Sequence, residues 1–123
     1  MILGNPAMIA AFKAGIPGNG KPFPNGAKMA KIHWAQKTAE TFPGQPVVPD
    51  TQRDIDFMVK DSKRFADSGG WGYAAFKYDA ATDTFTPFTT ADTPPQGNDA
   101  KCGFACHTVV RTRDYVFTDY QHR

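Results

Sequence analysis

The sequence predicts one domain made of short elements, a helix at the start and several strands after it. Three observations carry that prediction. The chain has 123 residues, which suits a single core. Its 11 Gly and 10 Pro interrupt it too often for a coiled coil or a long helical bundle. Apolar and polar residues also alternate in several short stretches, the period of a strand. Hydrophobic residues at 41% and aromatics at 13% exclude a disordered chain. A chain of this size buries roughly two-thirds of its unfolded surface, so its core needs no cage of disulfides.

The elements follow in order. Asn5 is a good N-cap and Pro6 fits the first helical position, so residues 6–14 read as a short helix stopped by Gly15. Six Pro and Gly residues between Pro17 and Gly26 make residues 16–26 a loop, ending in the turn signal Pro24-Asn25-Gly26. Residues 27–36 then read as a strand, with Met29, Lys31 and His33 on one face and Lys28, Ala30, Ile32 and Trp34 on the other. Three prolines make residues 41–52 a second loop. Beyond it Ile55, Phe57 and Val59 alternate with Asp56, Met58 and Lys60 as in a half-buried strand. Residues 71–78 and 84–86 form a hairpin, and the polar, Pro-rich residues 87–100 form a long loop of the kind that lines sites.

Composition excludes several classes of function. Fourteen Lys and Arg against 12 Asp and Glu leave +2, with the signs interspersed, too weak a balance for nucleic acid. No apolar run approaches the roughly 20 residues that span a bilayer. The start, Met1-Ile2-Leu3-Gly4-Asn5, lacks the basic head and apolar middle of a secretory signal.

Cys102-Gly103-Phe104-Ala105-Cys106-His107 holds both cysteines of the chain and sets a histidine directly after the second. The run is read as the Cys-x-x-Cys-His pattern of c-type haem attachment. Each thiol adds to a vinyl group on one porphyrin edge, and the histidine then lies beneath the iron. Neutral imidazole is a good iron ligand, fixed by what its second nitrogen donates to. Cys102 and Cys106 are therefore the haem c attachment residues and His107 the iron ligand. The rival readings of the run are a disulfide, a redox dithiol and a zinc site; a structural zinc needs four ligands, and beyond Cys102, Cys106 and His107 only His33 and His122 remain as soft donors.

The ligand opposite His107 decides between chemistries: a closed sixth position suits electron transfer, an open one suits binding or transforming a small molecule. His33, His122, Met8, Met29 and Met58 are the candidates to close it, His33 foremost.

These residues, together with Ile2-Leu3-Gly4-Asn5-Pro6, Phe23-Pro24-Asn25-Gly26 followed by Lys31, residues 59–66, the aromatic strand from Trp71, and Asp114-Tyr115-Val116-Phe117-Thr118, resemble the cytochrome P-460 family, which includes the cytochromes c′-beta. The resemblance runs through nearly the whole chain. It implies an α+β fold, a predominantly antiparallel sheet with a few short helices, and a single haem c-binding domain over 1–123, usually a homodimer with an open distal iron site. In the P-460 branch a lysine is joined to the haem macrocycle, and by its place after the turn that lysine corresponds to Lys31. Such enzymes oxidise hydroxylamine; the c′-beta branch instead binds nitric oxide beneath an apolar cap.

On its own, Lys31 also reads as a solvated strand lysine. The resemblance also implies a distal carboxylate, for which Asp56, Asp92 and Asp99 are candidates. Phe85 and Phe88 would make a dry cap, and Arg111 and Arg113 could pair with haem propionates. The expected partners are a small nitrogen-oxide substrate or ligand and a redox partner cytochrome. Haem c is attached outside the cytoplasm, so a periplasmic location is expected, with an export signal and some N-terminal residues upstream of Met1.

Overall fold

The computed structural model describes residues 1–88 and 98–120, the side chains of 98–100 excepted. Five strands form one antiparallel sheet in chain order: β1 (Ile2–Gly4), β2 (Lys28–Thr38), β3 (Val47–Lys60), β4 (Trp71–Asp79) and β5 (Thr84–Pro87). Helix α1 (Pro6–Lys13) lies between β1 and β2, and α2 (Asn98–His107) continues into a 3-10 helix, Thr108–Arg113. The fold is the α+β, mainly antiparallel arrangement expected, and no helix among the described residues is long and apolar enough to cross a membrane.

Asn5 explains how α1 is joined to the sheet. Its side-chain oxygen accepts from the N–H of Met8, capping the helix, and from the N–H of Lys28 at the start of β2; its amide donates to the Gly26 carbonyl at 2.8 Å. Asn25, in the turn before β2, exchanges hydrogen bonds with Ser62 beyond the end of β3. Two short polar side chains thus fix the register of helix, turn and sheet.

Two expectations need correction. Residues 47–52 belong to β3 rather than to a loop, and Pro49 sits opposite Gln36. The strand tolerates Pro49 because β4 pairs only from Ile55 onward, so this end of β3 is an edge where a missing N–H costs no ladder bond. The β2–β3 ribbon accordingly extends past the rest of the sheet, with register shifts on either side of Trp34. Further on, Asn98 already lies in α2, so the predicted loop ends before it.

The alternation in β3 holds, but its faces are the reverse of what hydrophobicity suggests. Met58 and Lys60 are buried on the core side, whereas Ile55, Phe57 and Val59 are half-buried on the other. The core side holds Met8, Ala11, Phe23, Ala27, Met29, Met58, Trp71, Tyr73 and Val116, between the sheet and the chain that crosses it. Phe57 stacks edge-on against Phe76 on the opposite face. Lys60 and Asp56 occupy inward positions because that face carries an ion pair and a cavity as well as a core.

Candidate haem site

Across the inner face of the sheet lies a cavity of about 500 Å³. The sheet supplies Met29, Lys31, Asp56, Met58 and Tyr73 to its wall; α2 supplies Cys102, Gly103, Cys106 and His107; Val116, Phe117 and Thr118 close it. Its size falls in the range of roughly 300–1,000 Å³ typical of cofactor pockets.

Helix α2 packs on β4 at Gly103. A Cβ there would stand 3.1 Å from the Tyr73 ring, closer than ordinary contact, so glycine allows the helix to approach the sheet. The approach brings Cys102 and Cys106 to the cavity as exposed free thiols. They are separated by three residues, 103–105, one more than the Cys-x-x-Cys-His pattern contains. The sequence reading is corrected on this point. Four positions apart on a helix, the two thiols are turned only about 40° from one another, so both still reach one wall.

His107 is half-buried at the end of α2, its ring 5.3 Å from that of Tyr73 and 4.9 Å from that of Phe117. Its Nδ1 lies 2.6 Å from the carbonyl oxygen of Tyr115. A carbonyl only accepts, so Nδ1 carries the proton and Nε2 keeps its lone pair for a metal. That is how ligating histidines are usually fixed.

The Tyr115 carbonyl is itself held by an unusual turn. Asp114 and Tyr115 both take left-handed backbone angles, φ 49° and 64°. Such angles cost roughly 1–2 kcal/mol per non-glycine residue. The turn is locked from below: Nζ of Lys60 donates to both carboxylate oxygens of Asp114, at 2.7 and 2.9 Å, and to the Gly69 carbonyl. The N–H of Phe23 donates to the same carboxylate at 2.7 Å, and the indole N–H of Trp71 to the Asp114 carbonyl at 2.8 Å. Lys60 is only 6% exposed and lies over the Trp71 ring. Gly69, at φ 69°, leaves room for the Tyr115 ring, into which a Cβ would run. Burial, helped by the nearby Tyr115 and Asp114, pushes the Tyr73 hydroxyl above the ordinary phenol range.

The remaining candidates sort as follows. Lys31 lines the cavity, exposed on the strand face it shares with Met29, as the alternation predicts. Asp56 lines it too, directly opposite Lys31 in the register of β2 and β3. Asp92 lies outside the described residues, as does His122, and the side chain of Asp99 is likewise not described. His33 is not on the cavity wall: its Nε2 is 2.8 Å from Asp56 Oδ2, and it lines a separate small hollow with Arg53, Asp54 and Phe88. The foremost candidate for a sixth ligand thus stands outside the cavity wall, with its Nε2 on Asp56. Met8 is fully buried in the core and is not on the wall, whereas Met29 and Met58 are.

Phe85 packs on Tyr78, and neither it nor Phe88 reaches the cavity, so the expected dry cap is not theirs. Arg113 bonds to the Val116 carbonyl and to Asp119, and Arg111 does not line the cavity. The sequence assigns no role to Tyr73, Phe117 and Lys60; their places in the aromatic strand, in the terminal landmarks and in residues 59–66 are the signals that point to them. Among the described residues no cluster of three or more His, Cys, Asp or Glu side chains is arranged to hold a bare metal ion.

These residues fit a porphyrin: a pocket of suitable size with two free thiols on one wall, and an imidazole whose free nitrogen is fixed by a hydrogen bond. Such a pocket on an antiparallel sheet is the design of a small c-type haem protein. The family model described as Cytochrome P460 matches residues 1–118, and the chain belongs to that family. A search of curated proteins found no match.

Proposed function

We propose that the protein is a periplasmic monohaem cytochrome that oxidises hydroxylamine or a related small nitrogen oxide at an open iron position. The observation that carries this reading is the pairing of Lys31 with Asp56 on the wall of the cavity that also holds Cys102, Cys106 and His107. Cys102 and Cys106 hold the haem c covalently and His107 ligates its iron. When bound, the haem supplies a redox-active metal that takes electrons from the substrate and passes them to a partner cytochrome.

The protein's own side chains do the rest. Lys31, at the place of the family's crosslinking lysine, is the residue for a bond to the macrocycle, formed with loss of an amine N–H and a ring C–H as two protons and two electrons to an added oxidant of the peroxide class. Asp56 accepts protons that the substrate releases, and His33, bonded to Asp56 and 37% exposed, passes them to solvent. Tyr73, Phe117 and Val116 keep water from the imidazole side. One domain over 1–123 carries all of this, and the half-buried apolar face around Phe57 and Phe76 suits a second copy of the chain.

A second reading rests on Met29 and Met58, both on the cavity wall: a thioether on the sixth position would make the protein an electron carrier. Absorption spectra in both redox states, followed by hydroxylamine turnover with an electron acceptor, separate the readings. A high-spin five-coordinate spectrum with turnover supports the enzyme. Low-spin iron in both states supports the carrier, and high-spin iron that binds nitric oxide without turnover supports a gas-binding protein.

A further inference from the structure

The ion pair beneath the terminal turn has a consequence for the iron that rests on the haem reading above. We propose that Lys60 and Asp114 are positioning residues for His107, which set its donor strength through the Tyr115 carbonyl.

A buried ion pair is weak grounds for stability, because losing water roughly cancels the attraction, and apolar residues of similar volume often do as well. Lys60 Nζ lies over the Trp71 ring, 5.1 Å from its centroid. What an apolar pair lacks is direction. Asp114 is the first of two successive left-handed residues, and its carboxylate receives Lys60 twice and the Phe23 N–H once. Its carbonyl receives Trp71. With both ends of Asp114 tied, and the N–H groups of Tyr115 and Val116 bonded to the carbonyls of Val110 and Arg113, the Tyr115 carbonyl is held where it meets Nδ1 of His107 at 2.6 Å. A short bond from Nδ1–H to a fixed carbonyl makes the imidazole a stronger donor at Nε2, and stronger donation favours the oxidised metal. Lys60 thus acts on the iron from the far side of two residues, without touching the cavity wall.

The test uses the haem-loaded protein and its variants Lys60→Met, Lys60→Arg and Asp114→Asn, with Met8→Ala as a control for lost stability alone. The iron–histidine stretch of the ferrous protein and the reduction potential are measured beside denaturant stability. The stretch falls and the potential rises in Lys60→Met and in Asp114→Asn, and Lys60→Arg returns both toward the parent values. Met8→Ala loses stability and moves neither. Asp114→Asn keeps size and an acceptor for Phe23, so it serves if Lys60→Met does not fold. Unchanged stretch and potential in a folded variant overturn the inference, as does an equal shift in Met8→Ala. A parent protein without covalent haem overturns the haem reading itself.

Discussion

Lys31 and Asp56 face each other across the β2–β3 ladder on the wall of the haem cavity, and His33 holds the carboxylate from outside at 2.8 Å. An amine and a proton acceptor therefore share one row of the sheet, with the row of Met29, Met58 and Tyr73 beside it. Neither group is in the packed core, so their position serves the cavity rather than the fold.

Replacing Lys31 by Arg keeps a positive charge but removes an amine able to lose its proton and bond to carbon. The haem-bearing peptide of the parent should contain Lys31, and that of Lys31→Arg should contain residues 102–107 alone. Hydroxylamine oxidation should fall at least about tenfold, about 1.4 kcal/mol in barrier, while stability changes by less than about 0.5 kcal/mol. Peptide mapping, turnover and denaturant curves check the three parts.

The two cysteines should not be equivalent. Cys106 keeps the usual place directly before the histidine, whereas Cys102 lies one residue further away than the Cys-x-x-Cys-His pattern has it. Cys106→Ala should therefore lose most covalently bound haem, and Cys102→Ala should retain a single thioether. Haem staining after denaturing electrophoresis distinguishes them.

Alkaline pH should loosen the site through Tyr73. Burial holds its hydroxyl protonated beyond the ordinary phenol range, whereas the unfolded chain releases that proton near pH 10. Above that pH the unfolded state binds fewer protons than the folded one, so stability falls as pH rises. The contribution is complete below about pH 10 and is lost as pH climbs toward the folded value. Denaturant curves from pH 8 to 11 should show the decline, and Tyr73→Phe should flatten it.

Gly69 should tolerate no side chain. Its positive φ and the Tyr115 ring beside it both oppose a Cβ, and its carbonyl accepts from Lys60. Gly69→Ala should cost about 1–3 kcal/mol in denaturant unfolding.

Much of this was legible in the sequence because local chemistry dictated it. Asn5-Pro6 capped a helix, Pro24-Asn25-Gly26 turned into a strand, and the alternation from Lys28 put Lys31 beside Met29 on one face. The cysteine–histidine run lies on the wall of the cavity. What stayed hidden depends on partners far along the chain. Lys60 looks like a surface lysine until Asp114, 54 residues later, is folded against it. The inward face of β3 is hidden for the same reason, since burial of a charged residue is decided by its partner. The strand over residues 47–52 was masked by Pro49, which an edge accommodates.

The most direct test of the account is the intact mass of the purified protein, with a peptide map under denaturing conditions. The account predicts the mass of the chain plus one haem, carried on the peptide with Cys102, Cys106 and His107, and no free thiol at Cys106. A mass equal to the chain alone, with both thiols open to alkylation, would contradict it.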